Sequence, residues 1–398
     1  AFLLSSAETA AMDPQQRLLL ELGYMALHRA CIDRAHLAGS LTGIFLGSSG
    51  SDFGGVLSAT PAGRSVYAAT GSSSSIASGR LSYVLGLHGP CASYDTACSS
   101  ALTAYHACHR ALQTNESPIS LAAGTNLMLS PEPGATFAIA GLTSLRGRSF
   151  TWDTRADGYA RAEACGTVTL REPAGSAVDT LLVDALGSAV RQDGRSASLT
   201  APNGRAQQGL LAGALHNAQA SAGDLILNEA HGTGTALGDP IEAGSFATAV
   251  LSERDTPLAV SGVKANIGHA EPAAGMTGLL KLAMALDTGK AAPNAQLRLL
   301  NSHVGGALRG VRCALPAQLS GLCDEVRHGG VSSFGYSGTI AHVVLRHAAD
   351  DGALPRVATA LVYRTRPFPW CDALHPFVQR RLPSSDGSVA FRSPAAGA

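Results

Sequence analysis

The chain has 398 residues, 45% of them hydrophobic and 15% charged, and its 29 basic residues balance 29 acidic ones. This length suits one large domain or two coupled halves, and the low charged fraction suits buried sheets and a large association surface. The balanced charge removes the electrostatic reason to expect nucleic acid or an anionic membrane as a partner. The sequence lacks the roughly 20-residue apolar run of a membrane span and the pattern of a signal peptide. We therefore expect a cytoplasmic protein, with an organelle such as a plastid left open.

The first predicted elements are a helix and a buried strand. Asp13 followed by Pro14 is a helix-start signature, and apolar residues then recur at helical spacing up to Cys31. The apolar run Gly43–Gly47 is bounded by glycines, which predicts a buried strand. The Gly- and Ser-rich stretch Gly71–Gly79 predicts a loop that enters a helix.

Strand and helix patterns alternate further along the chain. Short apolar runs over Leu225–Glu229, Leu258–Val263 and Ala341–Leu345 predict strands, and a helix is predicted near Gly275–Leu286. This alternation predicts an α/β fold. Two mixed α/β halves divided near residue 175 stay open at this point, because periodicity cannot prove a duplication.

Cys98 is the first candidate for chemistry. It lies in the segment Asp95–Ser100 (DTACSS), after a loop and before good helix formers, and a helix N-terminus favours a thiolate. The alternative for an isolated cysteine is a small buried core residue. We prefer that alternative for the cysteines without a comparable setting, which are Cys91, Cys108, Cys165, Cys313 and Cys323.

The spacing of the cysteines predicts neither a metal site nor a disulfide framework, because the eight cysteines form no CxxC pair. His106, Cys108 and His109 are close together in the sequence, but their spacing does not project all three to one helical face. We therefore expect reduced thiols and no metal.

Two glycine-rich segments carry the candidate histidines. His231 lies in Glu229–Thr235 (EAHGTGT) and His269 ends Lys264–His269 (KANIGH), each where a predicted strand stops. Glycines there permit a close approach of backbone and substrate, and the threonines offer hydroxyls to a polar ligand arm. A nucleophilic cysteine with two histidine donors for a developing oxyanion is suited to acyl transfer. Spacing alone would not bring the three side chains together.

Together these segments resemble the ketosynthases of polyketide synthases, which are β-ketoacyl synthases of the thiolase-like superfamily. The match covers roughly residues 1–345. It rests on the order of Asp13–Arg17, Gly79–Tyr83, Asp95–Ser100, Gln192–Arg195, Ala201–Gly204, the two histidine segments and Ser333–Thr339. The resemblance implies a thiolase-like fold in which two halves, residues 1–175 and 176–345, stack as five αβαβα layers and pair through their sheets into a homodimer. It also implies a strand and a helix before Ala1, so the first half is expected to lack its first strand.

The resemblance further implies an acyltransferase that forms carbon–carbon bonds, a 3-oxoacyl synthase. Cys98 would accept the acyl chain as a thioester, and His231 and His269 would contact the carbonyl of the malonyl-type extender, whose decarboxylation yields the nucleophile. Lys264 matches the family's active-site lysine. The backbone amides of Cys98 and Tyr336 match the positions of a second oxyanion hole.

The substrates would be carried on the phosphopantetheine of an acyl carrier protein, with no cofactor bound directly. By the same resemblance, Thr233 and Thr235 would bind the phosphopantetheine arm, and Phe334 and Tyr336 would belong to the substrate site. The alternative for the two threonines is a role in simple loop turns.

Three residues depart from the family's pattern. Ala162 and Ala164 stand where glycine is usual, and Ile340 replaces an asparagine. If the usual glycines adopt positive φ, each alanine adds about 1 kcal/mol or more of strain. Ile340 removes a side-chain amide near the loop of Tyr336, which matches the family's gate loop.

Three other functions compete with elongation. A non-elongating ketosynthase that only transfers acyl groups often lacks the second histidine, whereas His269 is present. An inactive scaffold for dimerisation or chain length usually replaces the cysteine, whereas Cys98 is present. A thiolase would show the pattern of a second catalytic cysteine near its C-terminal end, and that pattern is not visible in this sequence.

The sequence beyond about residue 346 predicts a linker. Within residues 346–398, Tyr363–Trp370, His375–Phe377 and Arg380–Pro383 resemble a synthase linker followed by the opening strand of a dehydratase domain. In that order no acyltransferase domain lies between the ketosynthase and the dehydratase. The extender would therefore have to be loaded onto a carrier protein by a separate acyltransferase. The alternative is a disordered tail with a chance His-Pro pair.

Overall fold

The structure, a computed structural model, describes residues 2–172, 182–252, 254–322, 327–348, 361, 380–382 and 390–392. It divides into two units, Phe2–Ala358 and a second within Thr359–Ala398. In the part of the chain that is described, none of the helices has the length and hydropathy of a membrane span.

Helices and strands alternate along the chain. The helices are α1 (Ser6–Ala11), α2 (Pro14–Arg29), α3 (Arg34–Leu37), α4 (Phe53–Ser58), α5 (Ala68–Gly71), α6 (Ser74–Leu85), α7 (Ser100–Gln113), α8 (Glu132–Ile139), α9 (Gly204–Asn217), α10 (Gly238–Phe246), α11 (Lys264–Ile267), α12 (Ala274–Thr288) and α13 (Ser302–Ala307). The strands are β1 (Gly43–Gly47), β2 (Cys91–Tyr94), β3 (Ile119–Asn126), β4 (Ala164–Arg171), β5 (Val183–Gln192), β6 (Leu225–Glu229), β7 (Leu258–Ser261), β8 (Lys290–Ala291), β9 (Cys313–Ala314), β10 (Ser320–Gly321), β11 (His328–Phe334), β12 (Thr339–His347), β13 (Arg380–Leu382) and β14 (Ala390–Arg392).

Most of the predicted elements are confirmed. Asp13 caps α2, since its side chain accepts the N–H of Gln15 at 2.8 Å, and the strands predicted at β1, β6 and β12 and the helix α12 are present. The loop predicted over Gly71–Gly79 is wrong in part, because α6 begins at Ser74. The start of α6 packs against α2: Gln16 Nε2 donates to the carbonyl of Ser73, just before α6, at 3.5 Å, and Arg80 Nε donates to Gln16 Oε1 at 2.8 Å.

The two main sheets have a four-strand pattern in common: β2-β1-β3-β4 in the first corresponds to β7-β6-β11-β12 in the second. The first runs β2-β1-β3-β4 and the second runs β5-β12-β11-β6-β7-β9. In the first, β2, β1 and β3 are parallel and β4 is antiparallel; in the second, β7, β6 and β11 are parallel and β12 is antiparallel. This repeat of order and direction supports the interpretation of two mixed α/β halves, whose division near residue 175 stays a prediction.

The two sheets enclose a central helical layer. α7 packs on β1 and β3 of the first sheet and on β5 and β12 of the second, and α12 packs on β11 and β6 and also on β4. α2 and α6 cover the outer face of the first sheet, and α9 covers the outer face of the second. The layers are therefore αβαβα, as the resemblance implied.

Alternation along β12 shows how the second sheet divides the core. Ala341, Val343 and Leu345 belong to the core between the sheets, with residues of α7 and α12. Ile340 and Val344 belong to the outer core, with residues of α9. A strand buried on both faces carries apolar residues on both faces, and His342 is the buried polar exception within this run.

A close approach of β1 to α7 fixes the start of that helix. A Cβ on Gly47 would overlap the backbone N and Cα of Ala101, in the first turn of α7. Glycine is therefore required at the end of β1, and the residues just before α7 are held against the sheet.

The second unit is described only in part. β13 pairs with β14 in antiparallel orientation. The predicted linker and dehydratase-like segments at Tyr363–Trp370 and His375–Phe377 lie outside the described residues, as does Cys323.

Candidate active site

Cys98 lies in a tight turn just before α7. The preceding residue, Ala97, has a left-handed backbone with φ +54°, and its N–H donates to Asp95 Oδ1 at 3.1 Å. Ser100 Oγ accepts the N–H of Thr96 at 2.9 Å. These contacts fix the backbone that presents the Cys98 thiol.

His269 is in direct contact with that thiol. Its Nε2 lies 3.1 Å from Cys98 Sγ, and its Nδ1 accepts the backbone N–H of Glu271 at 3.2 Å. A neutral imidazole carries one proton, so an accepting Nδ1 places the proton on Nε2. His269 therefore points an N–H donor at the sulfur.

His231 is held in the same tautomer by a different backbone amide. The N–H of Phe334 donates to His231 Nδ1 at 3.2 Å, which leaves the proton on Nε2. The two imidazole centroids are 5.7 Å apart with the rings nearly perpendicular. Shielding from water and the charge of Lys264 hold the pKa of both histidines well below the usual value, so both rings are neutral at pH 7.

Lys264 begins α11 and is almost completely buried. Burial lowers the pKa of Lys264, while the carboxylates of Glu229, Glu242 and Asp239 act in the opposite direction. Two of these carboxylates, those of Glu242 and Asp239, also accept backbone N–H groups of the His231 loop. Glu242 accepts the N–H groups of His231 and Gly232 at 2.7 and 2.8 Å, and burial raises its pKa to about 7.

The expectation that a helix start makes Cys98 a thiolate is wrong for this site. Burial raises the pKa of Cys98 to about 12, and this outweighs the opposing effects of Lys264 and of the backbone amides of Tyr336 and Cys98. The same amides approach the sulfur from the positions at which the sequence predicted a second oxyanion hole.

The loop that carries Tyr336 is packed on the Cys98 turn. Ser333 Oγ donates to the carbonyl of Cys98 at 2.7 Å, and a Cβ on Gly335 would overlap the carbonyl oxygen of Thr96. The Phe334 ring lies 5.3 Å from the ring of His231.

Thr233 and Thr235 line the same cavity as Cys98 and both histidines, and its volume is about 420 Å³. Their hydroxyls are 3.2 Å apart, and Thr235 Oγ1 accepts the N–H of Gly238 at 3.2 Å. The threonines thus face the cavity and also stabilise a turn, so the two interpretations are compatible.

The strain considered for the departures is absent. Ala162 and Ala164 are outside the set of residues with positive φ, because Ala164 begins β4 opposite Asn126 and the Ala162 N–H donates to the carbonyl of His269. Ile340 is fully buried in the outer core.

Sequence reasoning missed several residues of this site. Tyr159 packs its ring against His269 at 4.8 Å, and Arg161 binds Glu271 with contacts of 2.6 and 2.9 Å. Asp239, which accepts the N–H of Gly234 at 3.0 Å, was also missed. The available signal was the Asp-Pro-Ile-Glu run after the His231 segment, where acids three residues apart share one face of a helix.

Comparison with known proteins identifies the family. The family model of the β-ketoacyl synthase N-terminal domain matches residues 1–174, and the family model of the C-terminal domain matches residues 183–298. The chain belongs to the β-ketoacyl synthase family, and the resemblance to polyketide ketosynthases is confirmed.

Its relatives are polyketide synthases. The chain is 41% identical over 378 residues to a phenolphthiocerol/phthiocerol polyketide synthase of Mycobacterium tuberculosis, covering 91% of this chain and 17% of the relative. It is also 41% identical over 353 residues to the erythronolide synthase EryA3 of Saccharopolyspora erythraea, covering 88% of this chain and 11% of that protein. The chain thus spans less than a fifth of the length of either synthase.

Solved structures of ketosynthases share the thiolase-like fold. The ketosynthase from module 6 of the bacillaene synthase of Bacillus subtilis aligns with a TM-score of 0.81 and 31% identity, over 87% of this chain and 62% of that one. The oxazolomycin ketosynthase domain OzmH KS7 of Streptomyces albus aligns with a TM-score of 0.82 and 33% identity, over 87% and 62%.

Proposed function

We propose that the chain is the condensing domain of a polyketide synthase, which joins a Cys98-bound acyl chain to a malonyl-type thioester by decarboxylative Claisen condensation. One observation carries the proposal. The thiol of Cys98 shares a cavity with two neutral histidines whose Nε2–H groups are fixed as donors by backbone amides.

In the first step the Cys98 sulfur attacks the carbonyl of an acyl thioester. The sulfur–carbon bond to Cys98 forms, the bond to the carrier thiol breaks, and the proton of Cys98 passes to the released thiol. The backbone amides of Cys98 and Tyr336 approach the sulfur, so they are suited to stabilise the oxyanion of the tetrahedral intermediate.

In the second step a malonyl thioester loses carbon dioxide, and the electron pair of the broken bond moves onto the thioester oxygen as an enolate. The Nε2–H groups of His231 and His269 donate to this oxygen, and one such donor is worth about 3 kcal/mol. The enolate carbon then attacks the Cys98 thioester, which releases the cysteine and forms a β-ketoacyl thioester.

Acyl carrier protein is the proposed partner, since a phosphopantetheine arm would deliver the thioester to a cavity of this size. Thr233 and Thr235 line the cavity, which supports the proposal that their hydroxyls bind the arm. The thioester itself supplies the activation, so the proposed chemistry requires no further cofactor. A separate acyltransferase and a neighbouring dehydratase domain are proposed on the C-terminal sequence alone.

We also propose a homodimer formed through β2. This strand is an edge of the first sheet, paired within the described chain with β1, and Cys91 on it is exposed. An open sheet edge presents unpaired backbone groups to a second strand.

Elongation is favoured over acyl transfer alone because His269 contacts Cys98 and is held as a donor. The test is mass spectrometry of the intact chain after incubation with acyl and malonyl carrier-protein thioesters. We expect an acyl adduct on Cys98, followed by a β-ketoacyl product.

Cys98→Ala is expected to abolish the adduct, and Cys91→Ala, which removes an exposed thiol, is expected to retain it. Mapping of the acyl group to another cysteine would overturn the assignment. Acylation without any condensation product would favour the non-elongating alternative.

A further inference from the structure

A groove at the edge of the second sheet lies apart from the cavity of Cys98. β5 is the edge strand there, since within the described chain it pairs only with β12. The groove beside it has a volume of about 300 Å³ and shares none of its lining residues with the Cys98 cavity. Its polar lining side chains are His106 of α7, Arg191 of β5, and His216 and Asn217 of α9, and none of the lining residues is acidic.

A chain of hydrogen bonds with one direction leads towards His106. Arg110 Nη1 donates to Gln113 Oε1 at 2.9 Å. Because an arginine only donates, this contact identifies the Gln113 oxygen, and the amide nitrogen of Gln113 is the atom that lies 3.3 Å from His109 Nε2. His109 Nε2 therefore accepts, and the proton of this ring lies on Nδ1, which is 3.2 Å from Ser188 Oγ.

Ser188 continues the chain to His106. Its Oγ accepts from His109 and lies 2.8 Å from His106 Nδ1, and Ser188 is 3% exposed. A buried hydroxyl needs an acceptor for its own hydrogen, so Ser188 donates to His106 Nδ1 and the proton of His106 lies on Nε2. Burial lowers the pKa of His106, and it lowers that of His109 to about 4, so both rings are neutral at pH 7.

The Nε2–H of His106 is available to a ligand. In the part of the chain that is described, Nε2 has no hydrogen-bond partner, and it is not one of the buried polar atoms. It is therefore accessible where His106 lines the groove. The hydrogen-bond chain thus ends on a donor whose tautomer is fixed from the opposite side of the ring.

Arg191 brings a positive charge to the same groove. A Cβ on Gly213 would lie 3.0 Å from a nitrogen of the Arg191 guanidinium, so the guanidinium rests on α9. His216 and Asn217 follow Gly213 by three and four residues, which places them on the same face of the helix. Among the described residues, the Arg191 side chain has no ion-pair or hydrogen-bond partner. A guanidinium in this state is suited to bind a carboxylate or a phosphate through two parallel hydrogen bonds.

We propose that this groove binds an oxyanion, with the Arg191 guanidinium and the Nε2–H of His106 as its donors. Two sources offer this chemistry, a phosphate group and a carboxylate, and both accept from the same donors. The inference does not depend on the proposed function, because the groove is separate from the cavity in which condensation would occur.

The test measures the binding of inorganic phosphate and of succinate to the whole chain, by NMR relaxation of each anion at constant ionic strength. Arg191→Gln removes the charge, and His106→Phe removes the Nε2–H and keeps a ring of similar size. Arg309→Gln is the matched control, because Arg309 is an exposed arginine outside the groove. Arg191 is itself exposed, so its variant keeps the test decisive if His106→Phe does not fold.

We expect saturable binding of at least one anion, weakened by about tenfold or more in both Arg191→Gln and His106→Phe, the effect of one hydrogen bond to a charged group. Arg309→Gln should bind as the wild type does. Binding of phosphate alone identifies a phosphate site, binding of succinate alone identifies a carboxylate site, and binding of both identifies a site that accepts either group.

The absence of saturable binding of both anions to the wild type would overturn the proposal. Unchanged binding in Arg191→Gln, or in a folded His106→Phe, would also overturn it. An equal loss in Arg309→Gln would have the same consequence, because it would show a response to the overall charge of the chain rather than to the groove.

Discussion

The tautomer of His269 and His231 decides what these residues can do. With Nδ1 occupied by a backbone N–H, each neutral ring can donate from Nε2 but cannot accept a proton there. Both rings are therefore suited to stabilise negative oxygen rather than to act as a general base.

This role predicts how substitutions differ at the two positions. His269→Ala and His231→Ala should lower condensation by about 100-fold or more, because each removes an oxyanion donor. Cys98 acylation should persist in both. His269→Gln and His231→Gln, whose amide N–H can reach the Nε2 position, should retain more condensation than the alanine variants. Acylation and product formation are measured separately by mass spectrometry.

Equal losses for glutamine and alanine would contradict the donor role. Imidazole nitrogen shifts in labelled protein provide an independent check. The lowered pKa values predict that both rings stay neutral, with the proton on Nε2, between pH 8 and 6.

A few close contacts between helices and strands position the proposed reacting groups. Gly47 at the end of β1 is the clearest case, because any side chain there overlaps the first turn of α7. Gly47→Ala should destabilise the protein by about 1–3 kcal/mol through overpacking and should slow Cys98 acylation by displacing the turn.

Gly50→Ala is the control, since a Cβ at Gly50 would meet no atom within 4 Å. The two measurements are thermal unfolding and the rate of acyl loading. A Gly47→Ala variant that matches Gly50→Ala in both would show that α7 can shift without consequence.

β12 carries a buried histidine that links stability to pH. Burial lowers the pKa of His342 to about 3. The unfolded state takes up a proton below about pH 6.5 and the folded state does not, so stability falls as pH falls through this window. The contribution is about 1.4 kcal/mol per pH unit.

His342→Gln should remove this slope, which is measured as the difference in unfolding free energy between wild type and variant at pH 6.5 and pH 5. Parallel pH dependence of wild type and His342→Gln would contradict the assignment.

Local sequence pattern predicted these helices and strands better than it predicted the contacts that hold the site residues in place. The start of α2 at Asp13 and the strands β1 and β6 follow from caps and apolar runs that act over a few residues. The amide that fixes His231 comes from Phe334, 103 residues away, and the thiol beside His269 is 171 residues away. Such pairs depend on how the two sheets stack.

The resemblance supplied the proposed reacting residues, but it could not supply their electrostatics. The sequence places Cys98 at a helix start, and only the packed structure shows that burial raises its pKa. Glu242 and Asp239 were missed for the same reason: a carboxylate that anchors a loop is recognised once the backbone N–H groups around it are placed.

At the scale of the whole molecule, the open edge of β2 predicts self-association. Pro90 and Tyr94 direct their carbonyls to β1, so the intervening Cys91 directs its N–H outward, by the alternation of a parallel ladder. Cys91→Pro removes that donor and leaves the pairing with β1, and it should weaken the dimer by about tenfold or more.

Cys91→Ala keeps the N–H and should associate as the wild type does. The measurement is the concentration dependence of molar mass by light scattering. A monomer at all concentrations in the wild type, or an unchanged dimer in Cys91→Pro, would exclude pairing through β2.

The stacking of the two sheets also means that the chemistry is divided between the halves. Cys98 precedes α7 of the first sheet's half, whereas His231, His269 and Tyr336 come from loops of the second half and Lys264 begins its helix α11. The contact between Cys98 and His269 therefore forms only when the two halves have packed together. A chain with only one half folded would keep Cys98 apart from the two histidines, so the proposed condensation requires both halves to be folded.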